Sequence, residues 1–162
     1  MSTTAPISVE EYLKLSCKPA CEYIDGVLRQ KSMPTKKHAI TQARFVLLLT
    51  HLGYEVLPEL TVRLSTTKYL VPDLSVGRDL DDPHPTTAIP LAIEILSPDD
   101  RLGATLAKCE EYHAWGTPYC WVIDPEKQAA WEYHKGGEPV RVESQGTLHA
   151  GEIEVSMAEL FA

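Results

Sequence analysis

Tyr69-Leu70-Val71-Pro72-Asp73-Leu74-Ser75-Val76 and Leu91-Ala92-Ile93-Glu94-Ile95-Leu96-Ser97 decide how this chain is read. Both are short apolar runs of the kind that form buried strands. Each carries one acid, Asp73 or Glu94. A carboxylate in such a run is costly unless something offsets its charge. Two of them invite a shared cation, so the expectation is that Asp73 and Glu94 lie on neighbouring strands and hold a divalent metal. Taken singly, each has a plainer role: Asp73 as a strand-end cap on a neighbouring amide, Glu94 as half of a buried ion pair with Lys108.

Lys108 sits on the element that follows. Ser97-Pro98-Asp99-Asp100 reads as a helix start, with Ser97, Asp99 or Asp100 as cap. The helix should reach about Trp115 and end at Gly116. Lys108 projects between Tyr112 and Trp115, so its stem can pack while its ammonium reaches a polar pocket. Mg²⁺ or Mn²⁺ suits the acids, since hard cations take carboxylates, carbonyls and substrate phosphates. The Ile95 carbonyl would complete the inner shell. Such a metal polarises a phosphodiester and activates a water, and Lys108 would orient that water or offset charge developing on the phosphate.

Upstream, Ser8 and Glu11 form a capping box, with Ile7 placed to staple onto Tyr12. That helix should end near Pro19. Asp25-Gly26 between Glu22-Tyr23-Ile24 and Val27-Leu28 signals a hairpin. Glu22 is either an exposed strand residue or faces the metal site. From Gly26 to Tyr54 there is no acid, while Arg29, Lys31, Lys36, Lys37 and Arg44 fall in that span. The run is either a solvated face or a surface that meets phosphates, with Lys36, Lys37 and Arg44 on nucleic acid. A helix from Pro34 to Leu52 should stop at Gly53. His38, Gln42, Phe45, Leu49 and Leu52 share one face of it, which turns His38 inward.

Glu55–Leu57, Thr61–Ser65 and Tyr69–Val76 read as strands, and Arg78 to Pro90 as a polar connection without calcium-loop spacing. Tyr119–Ile123 is a buried strand with a hairpin partner at Gln128–Tyr133. Weaker strands follow at Val140–Val142 and Ile153–Val155, then a short helix opened by Ser156 and Glu159.

The chain has 162 residues, 44% of them hydrophobic and 23% charged, which fits one soluble domain over 1–162 with a sizeable core. A formal net charge of −8 argues against a generally basic, nucleic-acid-coating surface but leaves room for a local basic patch. Met1-Ser2-Thr3-Thr4 does not begin a signal peptide, and no run reaches transmembrane length. The default location is cytoplasmic. Cys17, Cys21, Cys109 and Cys120 lack paired zinc spacing and read as reduced thiols.

Several of these pieces together resemble the Uma2 family, also called DUF820. They are Glu22-Tyr23-Ile24-Asp25-Gly26, Pro34 with His38, Val71-Pro72-Asp73, Ile93-Glu94-Ile95-Leu96-Ser97-Pro98, Lys108 with Tyr112, Gly116-Thr117-Pro118 and Trp121-Val122-Ile123-Asp124-Pro125. Their order and spacing carry the likeness across nearly the whole chain. The resemblance implies the PD-(D/E)XK, restriction-endonuclease-like superfamily: an α/β fold with a central mixed β-sheet flanked by helices, here with an N-terminal helix and hairpin. It implies a metal site at Asp73 and Glu94, with Glu22 and His38 in supporting positions. The usual motif has a lysine two residues after the acid, where this chain has Leu96. Lys108 looks like that lysine moved to the following helix.

The expected activity is metal-dependent hydrolysis of DNA phosphodiesters by Asp73, Glu94 and Lys108. The alternative is a nuclease fold that binds nucleic acid or protein without cutting, and Leu96 and the acidic net charge favour it. A third reading is a homodimeric structural or regulatory protein whose acids form only a buried ion pair.

Overall fold

The computed structural model describes residues 5–162. The reading of Met1 to Thr4 as lacking a leader therefore lies outside the described residues.

Ser8 opens the first helix as expected. Its hydroxyl accepts from the Glu11 amide at 3.1 Å, and the Glu11 carboxylate accepts from the Ser8 amide at 2.7 Å. The helix α1 spans only Val9–Leu13 rather than running towards Pro19. Tyr12 is its single buried side chain, and one turn with one anchor has little to extend it. Tyr12 packs with Tyr23, Tyr69 and Ile7 in a small cluster of its own.

The strands β1 (Cys21–Ile24) and β2 (Val27–Gln30) form the expected hairpin. Asp25 and Gly26 both have positive φ, 48° and 89°, the pairing that matches strand twist in a two-residue turn. A Cβ on Gly26 would lie 2.8 Å from the Pro6 Cβ, so this position also needs glycine for space.

Helix α2 (Lys36–His51) starts at Thr35, whose hydroxyl accepts from the His38 amide at 3.2 Å. His38, Thr41, Phe45 and Leu49 are its buried row. Leu52 leaves that row, being 49% exposed at the helix end, because the chain turns away there into Gly53 at φ 91°.

β3 (Glu55–Pro58) and β4 (Val62–Ser65) follow. The single strand expected over Tyr69–Val76 is instead two, β5 (Lys68–Leu70) and β6 (Leu74–Gly77). Pro72 between them has no N–H to give a ladder, so the chain leaves one sheet and enters another at Val71-Pro72-Asp73. β5 joins an antiparallel four-stranded sheet in the order β2-β1-β5-β4.

β6 pairs antiparallel with β3 and with β7 (Leu91–Ile95). Helix α3 (Leu102–Trp115) then begins without a side-chain cap, its N-cap being Arg101. The expected caps form a preceding turn: the Asp100 carboxylate accepts from the Ser97 amide at 2.8 Å, and the Asp100 amide donates to the Ser97 carbonyl at 2.9 Å. The remaining elements are β8 (Tyr119–Asp124), β9 (Ala129–His134), β10 (Val140–Val142), β11 (Thr147–Ala150), β12 (Ile153–Ser156) and α4 (Met157–Leu160). β11 has no counterpart in the sequence reading.

The larger sheet has the order β10-β9-β8-β7-β6-β3. It is mixed, since β7 and β8 run parallel with α3 as their crossover, which parallel neighbours require. Side chains alternate between its faces. Leu91, Ile93, Ile95, Trp121 and Ile123 point to the core that holds Phe45 and Leu49 of α2. Ala92, Cys120 and Val122 point to the core that holds Cys109 and Tyr112 of α3 and Leu70 of the smaller sheet. Glu94 shares the parity of Ala92, so alternation delivers it to the α3 side. All four cysteines are free. Among the described residues, no helix is long and apolar enough to cross a membrane.

Candidate active site

β6 and β7 place Leu74 opposite Ile93. Asp73, one residue before β6, therefore comes beside Glu94. The Ile95 amide donates to Asp73 Oδ2 at 2.6 Å. In a strand the N–H and C=O of one residue point to the same neighbour, so the Ile95 carbonyl also faces this side. The two acids are 3% and 5% exposed, and their environments differ.

Asp73 is heavily paired. Its Oδ1 lies 2.7 Å from Lys31 Nζ and 3.6 Å from His38 Nε2. Burial pushes its pKa up, but Lys31, His38 and the Ile95 amide more than offset that, and the carboxyl sits below its ordinary range. Glu94 Oε1 lies 2.8 Å from Lys108 Nζ and accepts from the Tyr112 hydroxyl at 2.7 Å. Here burial wins. Desolvation, with Asp73 and Glu22 nearby, outweighs Lys108 and Lys31 and raises Glu94 to about 7.

The imbalance arises because Lys108 is shared. Its Nζ also lies 2.5 Å from Glu22 Oε1 and 3.4 Å from the Val71 carbonyl. Glu22 further accepts from the Val71 amide at 3.0 Å and from Arg29 Nη2 at 2.8 Å. Desolvation raises its pKa, but Lys108, Val71 and Arg29 bring it below its ordinary value. Lys108 is itself raised, since Glu94 and Glu22 outweigh its desolvation. It remains an ammonium at any physiological pH.

These groups line one cleft of about 180 Å³ at the carboxyl end of β7. Four acids and four bases line it, so a chain that is acidic overall offers a near-neutral recess there. Arg29 and Arg101 belong to its lining.

The structure thus gathers Asp73, Glu94, Ile95, Lys108, Glu22 and His38 in one place. The basic residues proposed for nucleic acid are dispersed. Lys36 is exposed, Lys37 pairs with Glu126 at 2.8 Å, and Arg44 donates to the Leu160 carbonyl at 3.0 Å. None of the three lines the cleft. Sequence reasoning assigned no site role to Lys31, Glu59 or the Tyr112 hydroxyl. Lys31 was visible only as one member of the basic run. Glu59 carried no signal beyond its charge, and it is placed by the backbone bond from its amide to the Asp73 carbonyl, 3.3 Å.

The donor set fits a divalent cation. Buried hard oxygens face a common space, Asp73 holds an ammonium of its own, and Glu94 shares Lys108 with Glu22, which leaves it short of positive charge. His38, Glu59 and Asp73 also offer ligand atoms all within 4.8 Å of one another.

The chain is similar to known proteins over most of its length. The model of the Uma2 family, described as "Putative restriction endonuclease", matches residues 9–160. A crystal structure described as a "putative nuclease belonging to DUF820" from Anabaena variabilis superposes with a TM-score of 0.82 at 28% identity, covering 96% of this chain and 98% of its own. A cryo-EM structure described as a DrdV–DNA complex overlaps 63% of this chain and 65% of its own, at a TM-score of 0.43 and 20% identity. No curated protein matches at a significant level.

Proposed function

The chain belongs to the Uma2 family, and on that premise we propose that it hydrolyses DNA phosphodiester bonds with a divalent cation, Mg²⁺ or Mn²⁺, held by Asp73, Glu94 and the Ile95 carbonyl. The observation that carries the reading is the meeting of Asp73 and Glu94 across β6 and β7, buried, with an ammonium on each. A bound cation at such acids polarises a phosphoryl oxygen and lowers the pKa of a water.

The chain's own groups do the rest. Asp73 stays ionised to well below neutrality and so is always available as a ligand. Glu94 releases its proton near pH 7, which makes ligation by it pH-dependent. Lys108 acts as a fixed positive charge rather than a base, because two carboxylates hold its proton. It offsets charge developing on the phosphate, as preorganised cations do in dry sites. Glu22 holds Lys108 in place, and Tyr112 fixes the Glu94 rotamer. Arg29 and Arg101 at the cleft, with exposed Lys36, meet neighbouring phosphates without reading bases.

The test is cleavage of labelled single- and double-stranded DNA with Mn²⁺ or Mg²⁺, comparing wild type with folded Asp73→Asn and Lys108→Ala. Cutting lost in both variants is expected. Equal cutting by all three refutes the assignment. One observation favours a second reading, a non-cutting DNA- or protein-binding module. Position 96, directly after β7, is Leu96, packed among the apolar residues around α3, and every ammonium in the cleft is engaged. DNA binding that needs no metal and survives Asp73→Asn selects it.

A further inference from the structure

Lys31, Glu59 and His38 form a second charged group around Asp73. Lys31 follows directly after β2, and its Nζ lies between two carboxylates, 2.7 Å from Asp73 Oδ1 and 2.9 Å from Glu59 Oε2. Those two acids, with His38, are the same residues whose ligand atoms cluster within 4.8 Å. The ammonium therefore occupies the space a small cation bound by these residues would take. We propose that His38, Glu59 and Asp73 form a second divalent-cation site, sharing Asp73 with the first, and that Lys31 is its resident counter-ion, displaced when the cation enters. The proposal rests on the reading of Asp73 as a metal ligand.

Three features beyond the clustering support it. His38 is 5% exposed, yet its Nε2 stands 3.6 Å from Asp73 Oδ1, too far for a hydrogen bond. A ring nitrogen of a buried histidine, aimed at Asp73 beyond hydrogen-bond distance, is poised for a ligand. Its other nitrogen, Nδ1, lies 3.4 Å from Ser97 Oγ. The tautomer with Nδ1–H donating there would leave the Nε2 lone pair to a cation, the second-shell arrangement typical of metal-bound histidine. Gln42 Nε2 bridges the Asp73 carbonyl at 2.9 Å and Glu59 Oε1 at 3.3 Å, which pins the Glu59 carboxylate towards the group. Glu59 reaches it from a left-handed backbone, φ 54°, a conformation a glutamate adopts only when its surroundings hold it.

The chemistry selects the ion. One imidazole with two carboxylates suits Mn²⁺ better than Mg²⁺, which prefers oxygen alone and dehydrates reluctantly. Lys31 lies just beyond β2, so moving its side chain breaks no strand pairing, and its Glu59 partner is 43% exposed, which leaves a way out towards solvent. Lys108, locked between Glu22 and Glu94 on α3, cannot.

The experiment is calorimetric titration of metal-stripped protein with MnCl₂, supported by electron paramagnetic resonance counting of free Mn²⁺. Removing one ammonium a few ångströms from the ion should tighten binding, so Lys31→Met is expected to bind Mn²⁺ roughly tenfold or more tightly than wild type. Adding Glu59→Gln to Lys31→Met should abolish that gain, whereas adding Glu94→Gln should leave it. A smaller gain with MgCl₂ is expected. Unchanged Mn²⁺ affinity in Lys31→Met, or a gain that persists with Glu59→Gln, overturns the second site. The first site fails separately if Glu94→Gln changes neither stoichiometry nor DNA cleavage. Should Lys31→Met not fold, Glu59→Gln alone decides, since its side chain is 43% exposed: weaker Mn²⁺ binding upholds the site and unchanged binding refutes it.

Discussion

Lys108→Met isolates the energetics of the buried charge cluster. The ammonium lies 2.5 Å from Glu22 and 2.8 Å from Glu94, with the three side chains 11%, 3% and 7% exposed. After the substitution Glu22 keeps Arg29 at 2.8 Å, but Glu94 keeps only the Tyr112 hydroxyl. Taking one partner from a buried pair leaves an uncompensated charge and costs about 3–5 kcal/mol. For a chain of this size that is a fall in Tm of roughly 10 °C. The loss should depend on pH, and the sign follows from Glu94. Its folded pKa, about 7, lies above the ordinary carboxylate value, so the folded state takes up the proton more readily than the unfolded one. At pH 5 Glu94 is already neutral in the wild type, and Lys108 then serves Glu22 alone. The loss should shrink to about half of its pH 8 value or less. The assay is urea denaturation at pH 5 and pH 8 in chelator, on wild type, Lys108→Met and the double variant Lys108→Met/Glu94→Gln. The double variant should recover most of the pH 8 loss, because no unpaired charge remains. A loss under about 1 kcal/mol at pH 8, or an equal loss at both pH values, refutes the reasoning.

The metal-free wild type should itself lose stability between about pH 5 and pH 8, by roughly 3 kcal/mol, as Glu94 ionises through about 7; a flat profile across that window refutes the burial of its charge. In acid the slope reverses, since Asp73 and Glu22 titrate below their ordinary values and their stabilisation is lost as pH falls through those lowered pKa values. Saturating Mn²⁺ should raise Tm, by the equivalent of about 2.7 kcal/mol at a hundredfold excess over Kd, and Asp73→Asn should remove that rise in a thermal scan. Gly26→Ala should cost about 1–3 kcal/mol by denaturation, since it puts alanine at φ 89° with its Cβ 2.8 Å from Pro6.

Local order was written plainly into the chain. The Ser8–Glu11 capping box, the Asp25-Gly26 turn, the inward positions His38, Phe45 and Leu49 on α2, and the apolar strands around Ile93 and Trp121 depend on neighbours within a few residues, so periodicity and turn chemistry expose them. The placing of acids within apolar runs also marked Asp73 and Glu94, because a carboxylate there is anomalous whatever its partner. Three things needed the tertiary structure. Pro72 splits one apparent strand between two sheets, since only the folded sheet reveals which ladder lacks an N–H. Lys31 and Glu59 enter the site through contacts 28 and 42 residues apart in sequence, which no local pattern encodes. The unequal ionisation of Asp73 and Glu94 follows from how two ammonium groups are divided among four carboxylates, Glu22, Glu59, Asp73 and Glu94. That division depends on distances of a few ångströms set by packing, because electrostatic energy among buried groups varies with separation and burial rather than with residue type.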